Sequence, residues 1–266
     1  MTTSWIDLNE KVVIVTGGNS GIGKHIVQRL LDNNANVVVA DLNVENGESE
    51  NGSYTVKCDV TNKESVEAMV DYTVEQFGRV DALVNNAGVN RPRLLVDVKG
   101  EKPEYELDES DFDFMTGVNV KGPFLCAQAV SRHMVKQESG VIVNMTSEAG
   151  MEGSSGQSCY SATKGALNGF TRSWAKELGK YNIRVVGVAP GINEKTGLTT
   201  DSYNEALAYT RNVSVDELGT NYASTIPLGR VGQLDEIADL ANYLVSDHSS
   251  YITGTTINIS GGKSRG

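Results

Sequence analysis

A tyrosine and a lysine lie one helical turn apart in the segment SCYSATKG, at positions 160 and 164. Residues four apart share one side of a helix, so the phenol and the ammonium are neighbours. Lowering a phenol pKa from about 10 to about 7 requires roughly 4 kcal/mol. An ammonium ~4 Å away supplies about that much at an effective dielectric constant of ~20. Such pairs also occur on solvated helix faces, so the prediction that Tyr160 is a general acid or base depends on its surroundings.

The rest of the same helix predicts where this pair lies relative to the core. Tyr160 and Lys164 fall at the edge of an apolar stripe, and the residues expected to be buried in it are Ala166, Leu167, Phe170, Trp174 and Leu178. Ser147 ends a predicted strand thirteen residues before Tyr160. A strand end and the start of the next helix meet at the carboxyl edge of a parallel sheet. The serine hydroxyl is therefore predicted to hydrogen-bond a substrate carbonyl beside the tyrosine.

A glycine-rich turn, TGGNSGIG at residues 16–23, joins a predicted strand to a predicted helix. Glycines let the backbone approach a pyrophosphate closely, and the helix start offers free N–H groups and a positive dipole end. A glycine turn without a ligand is the alternative, but the flanking strand and helix favour nucleotide binding. The residues predicted to bind the phosphates are Gly17, Asn19, Ser20, Gly21, Ile22 and Gly23.

Acidic and amide side chains follow the next predicted strands. Asp41 ends the second strand, where a carboxylate accepts hydrogen bonds from the adenosine ribose and repels a 2′-phosphate. No lysine or arginine follows in LNVENGE, so NAD is predicted rather than NADP. Further contacts with the adenosine half are predicted from Asp59, Val60, Asn86, Ala87 and Gly88.

Short β-branched runs alternate with helical patterns along the whole chain. Strands are predicted near residues 11–18, 36–41, 54–60, 81–88, 140–147, 183–191 and 255–260, and helices near 21–33, 63–77, 111–136, 160–179 and 233–246. This alternation predicts an α/β fold, a Rossmann-type doubly wound parallel sheet of about seven strands with helices on both faces. One domain over residues 1–266 is expected, with substrate-side insertions near 89–110 and 192–231.

The composition excludes several classes of function. The formal net charge of the 266 residues is −11, which argues against nucleic acid as a partner. No apolar run has the ~20 residues of a membrane span, and no secretory signal is apparent at the N-terminus. The three cysteines have no metal-ligand spacing, and the three histidines accompany no hydrolase motif. A cytoplasmic protein without a metal site is expected.

Taken together, TGGNSGIG, NNAG, Asn119, Ser147, YSATK, APG at 189–191 and the terminal ISGG resemble the short-chain dehydrogenase/reductase family. The resemblance implies that Tyr160 is the catalytic acid/base and that Lys164 lowers its pKa and binds the nicotinamide ribose. It further implies that Ser147 orients substrate and that Asn119 holds a water in a proton relay. Gly117, Gly122 and Pro123 are expected to disturb the helix around Asn119.

The resemblance departs from the family pattern after the PG pair. Many family members have a threonine four residues beyond that glycine for the nicotinamide carboxamide, but here Lys195 holds the position and Thr196 follows one residue later. The carboxamide contact is therefore expected to be shared by Ile192 and Asn193, which follow Pro190 and Gly191 in the cofactor site.

Several longer segments narrow the expected substrate. RPRLLVD, SEAGMEGSSGQSCY, TRSWAKELGKY and APGINEKTGL resemble polyol-phosphate dehydrogenases within the family, implying NAD-linked oxidation of a hexitol phosphate at C2 to a ketose phosphate. Arg91 and Arg93 are predicted to bind the phosphate, or else to belong to a solvated loop. Ser147, Glu148 and Tyr160 complete the expected substrate site.

Other functions stay open at the level of sequence. One alternative is a short-chain reductase of another carbonyl, either an unphosphorylated sugar or a 3-oxoacyl carrier substrate. The other is a non-catalytic NAD-sensing protein. The resemblance implies a homotetramer, with the helices at 111–136 and 160–179 pairing between subunits.

Overall fold

A mainly parallel β-sheet runs through the centre of the structure, a computed structural model that describes residues 5–219 and 222–264. The predicted 192–231 insertion thus includes two residues, 220 and 221, that lie outside the described ones. The eight strands found in the described residues are β1 Val12–Thr16, β2 Asn36–Asp41, β3 Gly47–Glu48, β4 Tyr54–Lys57, β5 Ala82–Asn85, β6 Gly140–Met145, β7 Ile183–Pro190 and β8 Thr256–Ile259.

The order of the strands creates a crevice beside β1. Across the sheet the order is β3-β4-β2-β1-β5-β6-β7-β8. The strands that follow β1 up to β4 are added on one side of it, and the strands from β5 onwards are added on the other side. β1 pairs in parallel with both β2 and β5. This reversal is the point where open α/β sheets bind ligands, beyond the carboxyl ends of the strands. The prediction of a Rossmann-type sheet is confirmed.

Nine α-helices are described on the two faces and at the carboxyl edge of the sheet. They are α1 Gly21–Asp32, α2 Lys63–Phe77, α3 Glu109–Thr116, α4 Gly122–Gln137, α5 Ala149–Glu152, α6 Ser158–Leu178, α7 Asp201–Arg211, α8 Tyr222–Thr225 and α9 Leu234–Val245. Side chains fix several starts: the Asn62 amide oxygen accepts from Ser65 N at α2, and Asp108 accepts from Asp111 N at α3. No helix among residues 5–219 and 222–264 is long and apolar enough to cross a bilayer.

Two apolar cores cover the faces of the sheet. One core joins alternate sheet residues, such as Val13 and Val15, to α1 and α9. The other joins Ile14 and its neighbours on the opposite face to α2, α4 and one end of α6. Strand β1 is buried along its whole length, as expected for a strand covered on both sides. The sheet is thereby held rigid under the site at its edge.

The structure differs from the sequence expectations in three places. The two-residue β3 pairs antiparallel with β4 and makes an eighth strand, too short to give a periodic signal. The 192–231 insertion is not a plain loop, since it contains α7 and α8. In α6 the buried residues are Cys159, Thr163, Lys164, Leu167, Asn168, Thr171 and Ala175. Of the predicted stripe only Leu167 is buried, because α6 turns its polar side towards the sheet edge.

Candidate active site

A cavity of about 420 Å³ lies at the carboxyl ends of β1, β2, β5, β6 and β7. It opens over the point where the strand order reverses. The predicted site residues that line it are Gly17, Ser20, Gly21, Ile22, Asp41, Asp59, Val60, Asn86, Ala87, Gly88, Ser147, Tyr160, Lys164, Pro190, Gly191 and Asn193. The glycine turn, the ribose carboxylate and the Tyr–Lys pair therefore border one continuous space.

The β1–α1 turn leaves no room for side chains at its glycines. Gly17 has a positive φ of 64°, and a Cβ atom there would come within 2.9 Å of the Ala87 Cα. A Cβ on Gly23 would overlap the carbonyl oxygen of Gly17. The start of α1 can approach the turn only because both residues are glycine. Gly23 thus lies behind the cavity wall and allows the close packing of α1 against the turn. Asn19 lies beside the wall.

Side chains of the neighbouring strand ends hold this turn in place. The Asn86 amide donates to the carbonyl oxygens of Thr16 and Gly17, each at 3.0 Å. The Thr16 hydroxyl accepts from the backbone N–H groups of Asn86 and Ala87, each at 3.1 Å. Asn86 therefore binds the turn as well as lining the cavity. Thr16 is a structural contributor that the sequence reasoning missed.

Asp41 lies where the adenosine ribose of a dinucleotide would be held. One carboxylate oxygen accepts from Asn19 N at 3.2 Å, and the other accepts from Asn43 N at 3.0 Å. Among the described residues lining the cavity, Lys164 is the one basic side chain, and it belongs to the far end. A 2′-phosphate beside Asp41 would therefore meet a negative charge and find no cation. The donor set fits NAD.

The Asp59 carboxylate accepts hydrogen bonds from its own loop. Its carboxylate accepts from the Thr61 backbone N–H at 2.9 Å and from the Thr61 hydroxyl at 2.7 Å. The following residue, Val60, packs tightly against Gly122 at the start of α4. Asp59 and Val60 thus form a fixed side wall for the adenosine half of the cavity.

Tyr160 and Lys164 sit at the inner end of the cavity, where Lys164 is buried and Tyr160 is half-buried. Burial raises the pKa of Tyr160 to about 12, with an opposing effect from its hydrogen bond to Ser147. Burial lowers the pKa of the Lys164 ammonium to about 8. The lysine Nζ lies 5.7 Å from the centre of the tyrosine ring and donates to the Met145 carbonyl at 2.8 Å.

The predicted lowering of the Tyr160 pKa by Lys164 is therefore absent in the protein alone. The expectation used a separation of ~4 Å in a polar medium, whereas desolvation of a buried phenolate outweighs an ammonium held on a backbone carbonyl. Within residues 5–219 and 222–264, no carboxylate pairs with Lys164 to neutralise its ammonium. The lysine charge remains directed towards the cavity, where an anionic phenolate or a ribose can use it.

Asn119 occupies a π-helical turn, Gly117–Lys121, between α3 and α4. The predicted disturbance of the helix by nearby glycines and a proline is confirmed. The fully buried Asn119 side chain accepts from Val89 N and donates to Val89 O, both at 2.8 Å. It also donates to the Thr163 hydroxyl at 3.1 Å, which in turn donates to the Tyr160 carbonyl. Asn119 is thus tied to the helix turn that carries the tyrosine.

The segment after β7 forms the opposite wall of the cavity. Asn193 donates to the Gly191 carbonyl at 2.8 Å and lines the cavity, whereas the Ile192 carbonyl accepts from Gly232 N. Thr196 also lines the cavity and lies close to Gly21 on the far side. Although Thr196 comes one residue late in the sequence, the loop turns its side chain inwards and leaves Lys195 exposed.

Arg91 and Arg93 lie outside the cavity lining and share a carboxylate partner. Arg91 Nη1 and Arg93 Nε each pair at 2.5 Å with one oxygen of the buried Asp111. The Arg91 guanidinium also stacks over the Phe114 ring at 4.0 Å. One carboxylate thus pairs with both guanidiniums that were predicted to bind phosphate.

Glu148 follows Ser147 and is paired with the C-terminal segment. Lys263 Nζ donates to Glu148 Oε1 at 2.7 Å, while the buried Oε2 has no hydrogen-bond partner within the described residues. Oε2 points towards Gly191, a residue of the cavity wall. Glu148 therefore retains an acceptor beside the cavity. Lys263, which had no recognisable motif, was missed by the sequence reasoning.

Comparisons with known proteins agree with this geometry. Residues 11–206 match the family model described as short chain dehydrogenase. The chain is 54% identical over 265 residues to sorbitol-6-phosphate 2-dehydrogenase of Klebsiella pneumoniae, covering 99% of both chains. It is 39% identical over 263 residues to a 3-oxoacyl acyl-carrier-protein reductase of Thermotoga maritima, covering 96% of this chain and 98% of the relative.

Solved structures share the whole architecture. NAD⁺-bound xylitol dehydrogenase superimposes with a TM-score of 0.84 at 29% identity, covering 96% of this chain and 99% of that one. A 3-ketoacyl acyl-carrier-protein reductase from Brucella melitensis, complexed with NADH, gives a TM-score of 0.80 at 27% identity over 97% and 100% of the two chains. The chain belongs to the short-chain dehydrogenase family and is an NAD-dependent oxidoreductase.

Proposed function

We propose that this protein oxidises a hexitol phosphate to a ketose phosphate with NAD, converting sorbitol 6-phosphate to fructose 6-phosphate. The observation that carries the chemistry is the convergence of Ser147, Tyr160 and Lys164 at the inner end of a cavity whose outer end has the glycine turn and Asp41. The similarity to the Klebsiella pneumoniae enzyme supports the choice of substrate.

The chain's own residues would divide the work as follows. Ser147 holds the substrate oxygen, and Tyr160 removes the hydroxyl proton while the C–H bond on the same carbon is broken and a carbonyl forms. Tyr160 accepts that proton as the phenolate and becomes the neutral phenol; Lys164 stabilises the phenolate before the transfer and hydrogen-bonds a ribose. Asn119 is held against the helix turn of Tyr160 through Thr163. It thereby keeps the path by which the proton leaves Tyr160 aligned.

The residues fit NAD, which when bound supplies the hydride acceptor and a positive ring charge near the phenol. The phosphates are assigned to Gly17, Asn19, Ser20, Gly21, Ile22 and Gly23, and the adenosine to Asp41, Asp59, Val60, Asn86, Ala87 and Gly88. The nicotinamide half is assigned to Tyr160, Lys164, Pro190, Gly191, Ile192 and Asn193, with Thr196 added by its place in the cavity wall.

A reductase of a 3-oxoacyl carrier substrate is the second candidate, supported by the relative at 39% identity. Asp41 disfavours it if such a reaction uses NADP, because the carboxylate would repel the 2′-phosphate. An unphosphorylated sugar is a further alternative within the same chemistry. A non-catalytic NAD-sensing role is disfavoured because Tyr160 and Lys164 are both present and both reach the cavity.

A polyol panel followed by NADH absorbance tests the proposal. The native protein should oxidise sorbitol 6-phosphate with a kcat/KM at least tenfold above that for sorbitol, and it should prefer NAD to NADP. Equal values for the two polyols would remove the phosphorylated substrate from the proposal. Tyr160→Phe should lose about 10³-fold in kcat, since the ring is kept and the proton acceptor is lost. Activity that survives this substitution would refute the mechanism.

We further propose that the chain forms one domain and assembles as a cytoplasmic homotetramer through α4 and α6. Phe124 of α4 is 40% exposed. On α6 the rings of Phe170 and Trp174 stack at 4.5 Å and are half-buried. Exposed aromatic surface of this kind is typical of contacts between subunits.

A further inference from the structure

A hexitol phosphate needs a cation several ångströms from Tyr160, because the carbon chain separates C2 from the phosphate on C6. The predicted candidates, Arg91 and Arg93, are already paired with Asp111. Lys263 is paired with Glu148. A basic side chain is therefore required that faces the substrate side of Tyr160 and has no acidic partner.

Arg211 meets this requirement. It lies half-buried in the last turn of α7, and none of the ion pairs in the described part of the chain involves it. Its guanidinium Nη2 donates to a neutral group, the Ser154 hydroxyl, at 3.3 Å. A cation at a helix C-terminus is favourable by itself, but this one points inwards to the 153–157 loop rather than out to solvent.

A run of hydrogen-bonded polar side chains leads from Arg211 to Gln157 and Tyr203. The Ser154 hydroxyl donates to the side-chain Oε1 of Gln157 at 2.7 Å, and Nε2 of the same amide donates to the Tyr203 hydroxyl at 3.0 Å. Gln157 is the N-cap of α6 and lies three positions before Tyr160. The run thus connects the cation to the start of the helix that carries the reacting tyrosine.

The same run contains an unused acceptor. Asn90 donates weakly to the Tyr203 hydroxyl at 3.4 Å, while its buried Oδ1 has no hydrogen-bond partner among the described residues. Buried amide oxygens without partners are rare and costly. A substrate hydroxyl would satisfy this oxygen, and Tyr203 and Gln157 offer further donors and acceptors. Such a row of neutral polar groups suits the hydroxyls between C2 and C6.

The three segments that carry these residues are packed together. Arg93 N donates to the Gly156 carbonyl at 2.7 Å, joining the insertion after β5 to the 153–157 loop. Gly156, with a φ of 73°, packs directly against Thr210 of α7, and any Cβ would overlap the threonine side chain. Arg211 is therefore held in place by the residue before it.

We infer that Arg211 is the specificity-determining residue that binds the phosphate of the substrate, and that Asn90, Gln157 and Tyr203 bind the intervening hydroxyls. This inference rests on the proposed function and deepens it. A guanidinium with neutral partners can make charge-assisted hydrogen bonds to phosphate without first giving up an ion pair.

The test compares kcat/KM for sorbitol 6-phosphate with kcat/KM for sorbitol in each variant. In Arg211→Gln the ratio should fall about 30-fold, because one or two charge-assisted hydrogen bonds are lost. Arg211→Lys should recover part of the ratio, since a point charge remains. Arg172→Gln is the matched control, because Arg172 is exposed on α6, and it should leave the ratio within twofold.

The outcomes separate this inference from the proposed function. If the native protein shows no preference for the phosphorylated polyol, the proposed substrate and the role of Arg211 are both overturned. If the native protein shows the preference and Arg211→Gln retains it, only the role of Arg211 is overturned. Loss of the preference in Arg91→Gln or Arg93→Gln, but not in Arg211→Gln, would restore the earlier assignment. Thermal unfolding of Arg211→Gln and Arg211→Lys checks that both variants fold.

Discussion

Lys164 carries a charge at a place where charge is unfavourable. It is almost completely buried, its ammonium has one backbone carbonyl as partner, and burial lowers its pKa to about 8 from the usual 10.5. A fold would not gain stability from such a residue at neutral pH. The cost is intelligible if the ammonium acts on Tyr160 and on a bound ribose.

Lys164→Met should therefore change the pH dependence of stability. Because the folded-state pKa is depressed, the contribution of neutral Lys164 is complete above about pH 10.5 and is lost as the pH falls through about 8. The free energy of unfolding of the native protein, relative to Lys164→Met, should rise by about 2 kcal/mol between pH 7 and pH 9.5. Urea denaturation at both pH values measures it.

The control for this experiment is Lys176→Met, an exposed lysine on the same helix. Its difference from the native protein should be the same at both pH values within about 0.5 kcal/mol. If the free energies of unfolding of Lys164→Met and of the native protein changed equally between the two pH values, the ammonium would be better solvated than its position indicates.

The single carboxylate of Asp41 is expected to set the preference for NAD over NADP. Asp41→Asn keeps the size and an acceptor but removes the charge that repels a 2′-phosphate. The ratio of kcat/KM for NADP to that for NAD should rise at least tenfold, equivalent to about 1.4 kcal/mol. Asp32→Asn, on the exposed side of α1, serves as the control. An unchanged ratio would place the determinant elsewhere.

At the scale of elements, α3 is fastened to the loop after β5 by charge. Asp111 is buried in the first turn of α3 and pairs with both Arg91 and Arg93. Removing its charge would leave two guanidiniums without a partner on a partly buried surface. Asp111→Asn should therefore lower the free energy of unfolding by about 2–3 kcal/mol, measured by urea denaturation.

The neighbouring carboxylate provides the matched control. Asp113→Asn changes an exposed residue of the same helix and should cost less than about 0.5 kcal/mol. If the two variants were equally stable, the Arg91–Asp111–Arg93 cluster would have no structural role, and both arginines would again be available to an anionic substrate.

At the scale of the whole molecule, the exposed Phe124 on α4 and the half-buried Phe170–Trp174 pair on α6 predict an assembly. Phe124→Glu would place a charge in the proposed interface, where desolvating it is costly. Light scattering after gel filtration should show a tetramer for the native protein and a smaller species for the variant. Val213→Glu, an exposed apolar residue after α7, is the control. A native monomer would refute the assembly.

The sequence predicted the catalytic and cofactor-binding residues better than the residues that surround the substrate side of the site. The glycine turn, Asp41 and the Tyr–Lys pair follow from local spacing and strand ends, and the structure brings them to one cavity. Asp111 and Arg211 could not be found in this way. Their roles depend on which charges meet across loops, and α7, which carries Arg211, is a mostly polar helix within the 192–231 insertion.

A related reason explains two of the expectations that failed. The Tyr160 pKa depends on burial, which spacing along a helix does not report. The apolar stripe of α6 was assigned to the core, although one side of the helix faces polar groups at the sheet edge and the side with Phe170 and Trp174 is half-buried. A helix with two buried sides of different character has no single apolar stripe.

The hydrogen bonds from Asn86 and Thr16 to the glycine turn have a thermodynamic consequence. They connect β1 to β5 across the reversal of strand order, so the turn is shaped by the protein itself. The conformational entropy lost in ordering that backbone is incurred during folding rather than on association. A dinucleotide therefore meets a preorganised surface, and its affinity is not reduced by a folding step at the crevice.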